Sequence, residues 1–292
     1  MILLRLSLET IKINRFSNYI PILSTIFLTW LFASMIIYVD IRPGQPPITP
    51  FQEPEPSTPP GQALLNPAPY LNTILFISVL TISSIVILYL VRKKTNIFRK
   101  LITTLLLMIS FGVFAYYILI ASIIFQIPFT TYQLLLSAIL AILVTYFIIR
   151  GRELGTTLSS AIIASGAGGV LGASIPYWTF IILVVAISVY DIVAVFRGHL
   201  STITKIDAPM LKGLLIEIGD LAIGFGDLFF YSLTITSIII NNGTVPAIAS
   251  TLSILAGYTI TLYLLSKRKR LPGLPIPLLL ALTVALITHY TL

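Results

Sequence analysis

The sequence predicts an all-α membrane protein with nine transmembrane helices. Of its 292 residues, 57% are hydrophobic and 10% are charged, whereas about 25% of the residues of a soluble domain are charged. Apolar windows of about 20 residues, the length that crosses a bilayer, recur nine times. The basic residues collect in every second loop between these windows. We therefore predict a single polytopic membrane domain over residues 1–292.

The nine predicted spans follow one another with short polar or Pro-containing connections. The first apolar stretch is longer than the h-region of a signal peptide, so it is interpreted as an uncleaved span. Spans five and six are separated only by residues 174–176, where Tyr177 and Trp178 are typical of a membrane interface. In order, the spans cover residues 19–39, 70–91, 101–124, 130–149, 156–174, 176–196, 219–240, 245–265 and 272–290.

The distribution of basic residues predicts the orientation. All but one of the 18 basic residues precede the first span or follow an even-numbered span, and the exception is Arg42. The positive-inside rule then places the N-terminus in the cytoplasm and, after nine crossings, the C-terminus outside. The same distribution explains the net charge of +8 without nucleic acid as a partner. The predicted partner is the lipid bilayer, and the predicted location is the cell membrane.

Several connecting segments have a distinctive composition. Residues 40–69 carry ten of the 18 prolines and predict a flexible outside loop, which either covers the outside face or is a passive linker. Residues 197–218 form the predicted cytoplasmic loop between spans six and seven. Residues 1–16 predict a short interfacial helix or a frayed tail. The triplet Asn242-Gly243-Thr244 is either a glycosylation site or a tight turn.

Span five contains a run of small residues over 165–172. Small residues let membrane helices approach closely, so the run predicts helix packing. A phosphate-binding loop is disfavoured because the Lys-Ser/Thr pair that would follow it is missing. The chain has no cysteine, and its two histidines, His199 and His289, stand far apart. We therefore expect no metal site and no cofactor.

Three of the ten acidic residues, Asp191, Asp220 and Asp227, fall within predicted spans. Asp191 precedes Arg197 by six residues, which places it about 9 Å inside the cytoplasmic edge, and Asp227 is eight residues into span seven, about 12 Å deep. Asp220 lies at the start of span seven, where it reaches water and favours the helix N-terminus. Asp191 and Asp227 are therefore the predicted pair.

Two neighbouring carboxylates in a low-dielectric site cannot both ionise cheaply, so they share a proton. One can take a proton from water as it attacks a peptide carbonyl, while the other donates a proton to the carbonyl oxygen. Gly224 and Gly226 flank Phe225 and would let a helix or a substrate backbone approach Asp227. The alternative from another class is a proton- or cation-coupled transporter that uses the same carboxylates.

The start of span nine is rich in proline, at positions 272, 275 and 277. Proline cannot donate a backbone hydrogen bond, so we expect the chain to enter the membrane here partly unwound. The alternative is a helix that begins at a proline directly after the basic cluster 267–270.

Three motifs together resemble those of the presenilin and signal peptide peptidase family of intramembrane aspartyl proteases. Tyr190-Asp191 is similar to its Tyr-Asp motif, and Gly224-Phe225-Gly226-Asp227 to its Gly-x-Gly-Asp motif. Pro272-Gly273-Leu274 is similar to its Pro-Ala-Leu motif, with Gly273 where the family usually has alanine. The order of the motifs and the spans that carry them also agree with the family.

This resemblance implies a presenilin-like fold and an endopeptidase that hydrolyses bonds within transmembrane helices. Asp191 and Asp227 would be catalytic, Tyr190 would position Asp191, and the segment Pro272 to Leu274 would support the site and receive substrate. The predicted orientation resembles presenilin rather than signal peptide peptidase, which implies substrates whose N-termini lie outside. The chain resembles a compact archaeal homologue that needs no partner subunit. A prepilin-peptidase-type membrane protease, which shares Gly-x-Gly-Asp, is the other enzymatic alternative.

Overall fold

The computed structural model describes residues 3–5, 16–196, 213–218, 221–267 and 270–291. Asp220 and His199 lie outside these residues. The described chain is mostly helical, with a 3-10 turn over Phe16–Tyr19 and four short strands, β1 Leu3–Arg5, β2 Leu215–Ile218, β3 Leu221–Gly224 and β4 Arg270–Leu271. The helices are α1 Ile20–Val39, α2 Pro60–Ala63, α3 Ala68–Lys93, α4 Thr95–Ile124, α5 Thr131–Arg150, α6 Glu153–Ser174, α7 Tyr177–Phe196, α8 Phe225–Asn242, α9 Thr244–Lys267 and α10 Pro275–Thr291.

The predicted all-α class is confirmed. In the described part of the chain, seven helices are long and apolar enough to cross a membrane, namely α1, α3, α4, α5, α6, α7 and α9. They correspond to predicted spans one to six and eight. Helices α8 and α10 stand at the positions of spans seven and nine, but α8 carries an acid and many hydroxyl groups and α10 has only 17 residues. Nine crossings and the orientation of the termini stay predictions.

Helix α8 lies inside the helix bundle, where it packs against α1, α6, α7, α9 and α10. Most of its residues are buried, including a series of serines and threonines. One of these hydroxyls, Ser232 Oγ, lies 2.7 Å from Thr29 Oγ1 of α1 in a buried hydrogen bond. Because neighbouring helices rather than lipid surround α8, its low hydropathy is compatible with its central position.

The small residues of α6 are packing positions, as predicted. A Cβ built on Gly168 would lie 2.5 Å from Phe229 O, and one on Gly172 would lie 2.5 Å from Leu233 O, both backbone atoms of α8. Gly169 stands similarly against the Tyr117 hydroxyl of α4, at 2.6 Å. Glycines on α6 thus let its backbone approach α8 and α4 on two sides.

The prediction that span seven is helical from residue 219 is wrong for residues 221–224, which form β3. Their backbone pairs with β2 in an antiparallel ladder, with Leu215 opposite Gly224 and Ile218 opposite Leu221. A short apolar run such as Leu-Ala-Ile-Gly has the same hydropathy in a strand as in a helix, so the sequence window could not separate them. The helix that carries Asp227 begins only at Phe225.

The N-terminal residues 3–5 also differ from the prediction of an interfacial helix. They form β1, which pairs antiparallel with β3 on one side and with β4 on the other. The sheet order is β2-β3-β1-β4. The extended conformation is favoured because both neighbouring strands offer backbone partners to the segment.

The Pro-rich segment 40–67 is tied to the ends of two helices. The Thr179 N–H in the first turn of α7 donates to Glu53 Oε2 at 2.8 Å, and Trp178 Nε1 donates to Glu55 O at 3.2 Å. Asn72 of α3 donates from Nδ2 to Phe51 O at 2.9 Å. The segment therefore covers the ends of α3 and α7 on the side that the charge distribution assigns to the outside.

Asn242 and Gly243 form the connection between α8 and α9. Asn242 is the last residue of α8, and its Nδ2 donates to the Tyr177 hydroxyl at 3.0 Å. Gly243 has a φ of +95°, which favours glycine over residues with a side chain. The geometry agrees with the tight-turn interpretation of this sequence.

Candidate active site

Asp191 lies near the end of α7, with five residues of the helix after it. Its side chain is 1% exposed. The backbone N–H of Leu274 donates to Asp191 Oδ2 at 3.0 Å. This bond orients the carboxylate towards the segment between β4 and α10.

Asp227 lies in the first turn of α8, with Gly224 as the N-cap residue. The expectation that it lies eight residues inside a helix is wrong, because residues 221–224 form β3 and the helix begins only at Phe225. Asp191 nevertheless lies near the C-terminal end of α7 and Asp227 near the N-terminal end of α8, and the two helices are in contact. Asp227 is 1% exposed, and neither of its carboxylate oxygens has a well-formed hydrogen bond within the described residues.

The segment Pro272 to Leu274 joins the two acids. A Cβ built on Gly273 would lie 2.6 Å from Asp227 Oδ2, while the next residue, Leu274, donates its N–H to Asp191. Since adjacent residues contact the two carboxylates, their Oδ2 atoms are less than about 9 Å apart. Two ionised carboxylates at such a distance in a buried site repel each other. The two acids therefore form one buried site.

The start of α10 combines both expectations for this segment. Residues 272–274 are not helical, as the unwound interpretation predicted, and Leu274 is fully buried. Pro275 and Pro277, however, lie in the first turn of α10. A helix does not use the N–H groups of its first turn, so these prolines begin the helix rather than interrupt it.

The other motif residues hold the backbone around Asp227. Gly224 is the last residue of β3 and is buried, and Gly226 is half-buried in the first turn of α8. The N–H of Phe225 donates to Leu214 O at 2.9 Å. This bond joins the beginning of α8 to the start of the β2–β3 hairpin.

Tyr190 directs its hydroxyl away from its neighbour Asp191. The hydroxyl donates to Ser84 Oγ of α3 at 3.3 Å. The hydrogen bond therefore links α7 to α3, and any effect of Tyr190 on the carboxylate is exerted through the position of α7.

Tyr231 is a site residue that the sequence reasoning missed. Its side chain is 1% exposed, and its hydroxyl donates to Gly273 O at 2.7 Å. Because it follows Asp227 by four residues, it lies on the same face of α8. That spacing was the available signal, but a buried tyrosine in an apolar helix is also an ordinary core residue.

Replacing Tyr231→Phe is expected to lower kcat about 10-fold. The change leaves Gly273 O without its buried donor, so the segment that touches both acids shifts. The measurement is the cleavage rate of a transmembrane substrate at saturating concentration, together with thermal unfolding. Tyr258→Phe is the matched control, since the hydroxyl of this buried tyrosine donates to Asn18 O at 2.9 Å and not to the segment. Equal losses of kcat in both variants would contradict a positioning role for Tyr231.

Replacing Gly273→Ala is also expected to lower kcat about 10-fold. The new methyl group would lie 2.6 Å from Asp227 Oδ2, so the carboxylate or the segment must move, and displacements below 1 Å already slow catalysis. Gly61→Ala, where a Cβ meets no atom within 4 Å, is the control and should retain the wild-type rate. An unchanged rate in Gly273→Ala would show that the carboxylate rotates away freely.

The described residues contain no group of three or more His, Cys, Asp and Glu side chains that could hold a metal ion.

Both the sequence and the fold are similar to those of known proteins. A family model described as "Signal-peptide peptidase, presenilin aspartyl protease" matches residues 49–214, a range that includes Asp191 and ends before Asp227. Two solved structures of a presenilin family intramembrane aspartate protease, in space groups C222 and P2, are similar in fold. The first has a TM-score of 0.65 at 19% identity and covers 94% of this chain and 99% of that chain. The second has a TM-score of 0.63 at 20% identity, with 93% and 96% covered. No curated protein sequence matches the chain significantly.

Proposed function

Because the chain belongs to the signal peptide peptidase and presenilin family and is an intramembrane aspartyl protease, we propose that Asp191 and Asp227 are its catalytic pair. The observation that carries the proposal is the contact of two consecutive residues, Gly273 and Leu274, with the two carboxylates. Such contacts hold two acids from different helices at one level in a buried site. Pairs of carboxylates in this arrangement perform general acid–base catalysis.

In the proposed reaction, the pair holds one proton in the resting state. The ionised member takes a proton from water as the water oxygen attacks the peptide carbonyl carbon. The protonated member donates its proton to the carbonyl oxygen, which gives a tetrahedral diol. The C–N bond then breaks, the nitrogen takes up a proton, and the products are a carboxylic acid and an amine.

The residues around the pair have supporting roles in this proposal. Leu274 orients Asp191 through its N–H, Gly273 leaves space beside Asp227, and Tyr231 holds the segment through Gly273 O. Burial removes bulk water from the acids, which strengthens their interaction with a developing charge.

The proposed substrates are single-pass membrane helices whose N-termini lie outside. The proposed nine crossings with a cytoplasmic N-terminus resemble the topology of presenilin, and this resemblance implies substrates in that orientation. A helix hides its carbonyl groups in intrahelical hydrogen bonds, so the substrate must unwind near the acids before cleavage. The proposed site of action is the cell membrane, and no partner subunit is required.

The proposed orientation predicts which residues a membrane-impermeant reagent reaches. The chain has no cysteine, so a single introduced thiol reports its own location. Gln52 in the Pro-rich segment and Asn96 in the first turn of α4 are exposed, and the proposed orientation places them on opposite sides of the membrane. We expect an impermeant maleimide to label Gln52→Cys on intact cells, and Asn96→Cys only after the membrane is opened. The reverse pattern would contradict the orientation.

Neither alternative from the sequence has support of its own. A proton- or cation-coupled transporter would use the same acids, but the family is one of proteases. A prepilin-peptidase-type enzyme shares only the Gly-x-Gly-Asp motif. Proton flux into liposomes that contain the protein, measured in the absence of substrate, would support the transporter interpretation.

The function is tested with the purified protein reconstituted in liposomes with a single-pass helical substrate. We expect two products whose junction lies within the hydrophobic segment, as located by mass spectrometry. In H₂¹⁸O the new carboxyl group should carry one ¹⁸O atom, because water attacks the carbonyl directly. A cut only in the aqueous part of the substrate would contradict intramembrane cleavage.

A further inference from the structure

Two strands lead directly into the proposed site. β3 ends at Gly224, three residues before Asp227, and β4 ends at Leu271, two residues before Gly273. The strand between them is β1, which has Leu4 opposite Ala222 of β3 and opposite Arg270 of β4. A strand between β3 and β4 therefore pairs with the two segments that lead directly to Asp227 and to Gly273.

The direction of a strand in this position is determined by its neighbours. β3 runs towards Asp227 and β4 runs towards Gly273, so an antiparallel strand between them runs away from the acids. In β1, Arg5 lies opposite Leu221 and Leu3 lies opposite Leu271. Each step towards the N-terminus of β1 thus moves the facing residues closer to the site.

An unwound substrate segment would need the same direction and the same backbone partners as β1. The segment that follows the cleaved bond leaves the site in the N-to-C direction, and an extended segment needs backbone partners inside a protein. Strand addition supplies these partners without regard to the side chains. The other edge of β3 is taken by β2, so within the described residues the edge that faces β4 is the one such a segment would use.

The sequence of β1 also has the pattern of a substrate end. Leu3-Leu4-Arg5 consists of apolar residues followed by a basic residue. Single-pass helices with an outside N-terminus commonly end in this way at the cytoplasmic side, because basic residues stop the helix there.

We infer that residues 3–5 occupy the position that the substrate segment following the cleaved bond takes, so that the N-terminal segment competes with substrate. The inference rests on the proposed function of Asp191 and Asp227. The pairing of β1 is only three residues long, so a longer substrate strand can replace it. While no substrate is bound, β1 covers two strand edges that would otherwise be open to other chains.

A disulfide between β1 and β3 that holds β1 in place tests this inference. Directly opposite residues of antiparallel strands have Cα atoms about 4.5–5.5 Å apart, which is within the range that a disulfide spans. The double variant Leu4→Cys/Ala222→Cys in this cysteine-free chain should therefore cross-link on oxidation. We expect the oxidised protein to cleave a reconstituted single-pass substrate at least 10-fold more slowly than the same protein after reduction. Each single variant, treated in the same way, should show no difference between its oxidised and reduced forms.

Two results would overturn the inference. The oxidised double variant could cleave as fast as its reduced form, or the disulfide could fail to form, which would show that β1 does not hold this position. Failure of the proposed function is seen separately, as absence of cleavage by the wild-type protein or as full activity of Asp227→Asn.

A second variant tests the same competition without a cross-link. Leu4→Pro removes one backbone donor from β1 and disfavours its place in the middle of the sheet. We expect KM for the substrate to fall about 3-fold or more, with kcat unchanged. An unchanged KM, or a lower kcat together with lower thermal stability, would show that β1 is a structural part of the enzyme.

Discussion

Asp191→Asn and Asp227→Asn are each expected to lower kcat for cleavage of a transmembrane substrate by about 1,000-fold or more. An amide can neither take a proton from water nor donate one as an acid, and general acid–base catalysis contributes about 100- to 10,000-fold. Because the two acids act as one unit, the double variant should be no slower than the slower single variant. The measurement is single-turnover cleavage in liposomes at equal protein content.

The controls separate catalysis from folding. Asp40→Asn makes the same chemical change on an exposed side chain at the start of the Pro-rich segment and should leave kcat unchanged. The two site variants should unfold at a temperature no lower than the wild type, since each removes a charge from a buried position. Asp220→Asn is also expected to remain largely active. A site variant that retains activity within about 10-fold of wild type would refute the proposed pair.

The second large effect is expected at the contact between α6 and α8. Gly168→Ala and Gly172→Ala each place a methyl group about 2.5 Å from a backbone oxygen of α8, and a helix backbone cannot rotate away as a side chain does. Each change should destabilise the protein by about 1–3 kcal/mol, the usual cost of overpacking. The double variant should also lose most of its activity, because the displaced helix carries Asp227. Thermal unfolding in detergent and cleavage in liposomes measure the two effects.

Gly112→Ala on α4 is the matched control. A Cβ at this position meets no atom within 4 Å, and alanine is the better helix former by about 1 kcal/mol. We expect this variant to be as stable as the wild type or slightly more stable. Equal destabilisation by Gly112→Ala and Gly168→Ala would mean that the α6–α8 contact is not closely packed.

Much of the helical layout could be predicted because hydropathy is a local property. α1 and α7 begin and end within a residue or so of the predicted spans. Asp191 and Asp227 stood out because an acid in an apolar run is costly and therefore seldom retained without a role. Their similar depth was expected because predicted spans six and seven run in opposite directions. That expectation used only the number of residues between each acid and the end of its span.

The elements that were missed depend on partners far away in the chain. Residues 221–224 became β3 because residues 215–218 and 3–5 pair with them, and hydropathy carries no record of that pairing. Tyr231 became a site residue because Gly273, 42 positions away, presents its carbonyl group to it. The expected role of Tyr190, to position or tune Asp191, stays a prediction, and its hydroxyl bonds to Ser84 of α3.

By itself, then, the sequence determined the membrane class and most helix bounds and indicated the two acids that we propose as the pair, since burial in lipid restricts composition residue by residue. Only the tertiary structure decided that the acids share one segment, that α8 begins at Phe225, and that β1 lies between β3 and β4. These features arise from contacts between residues up to 268 positions apart, such as the pairing of Leu3 with Leu271 and of Leu4 with Arg270. Such contacts form only when the whole chain has folded. The hydropathy pattern of one segment does not indicate which distant segment pairs with it.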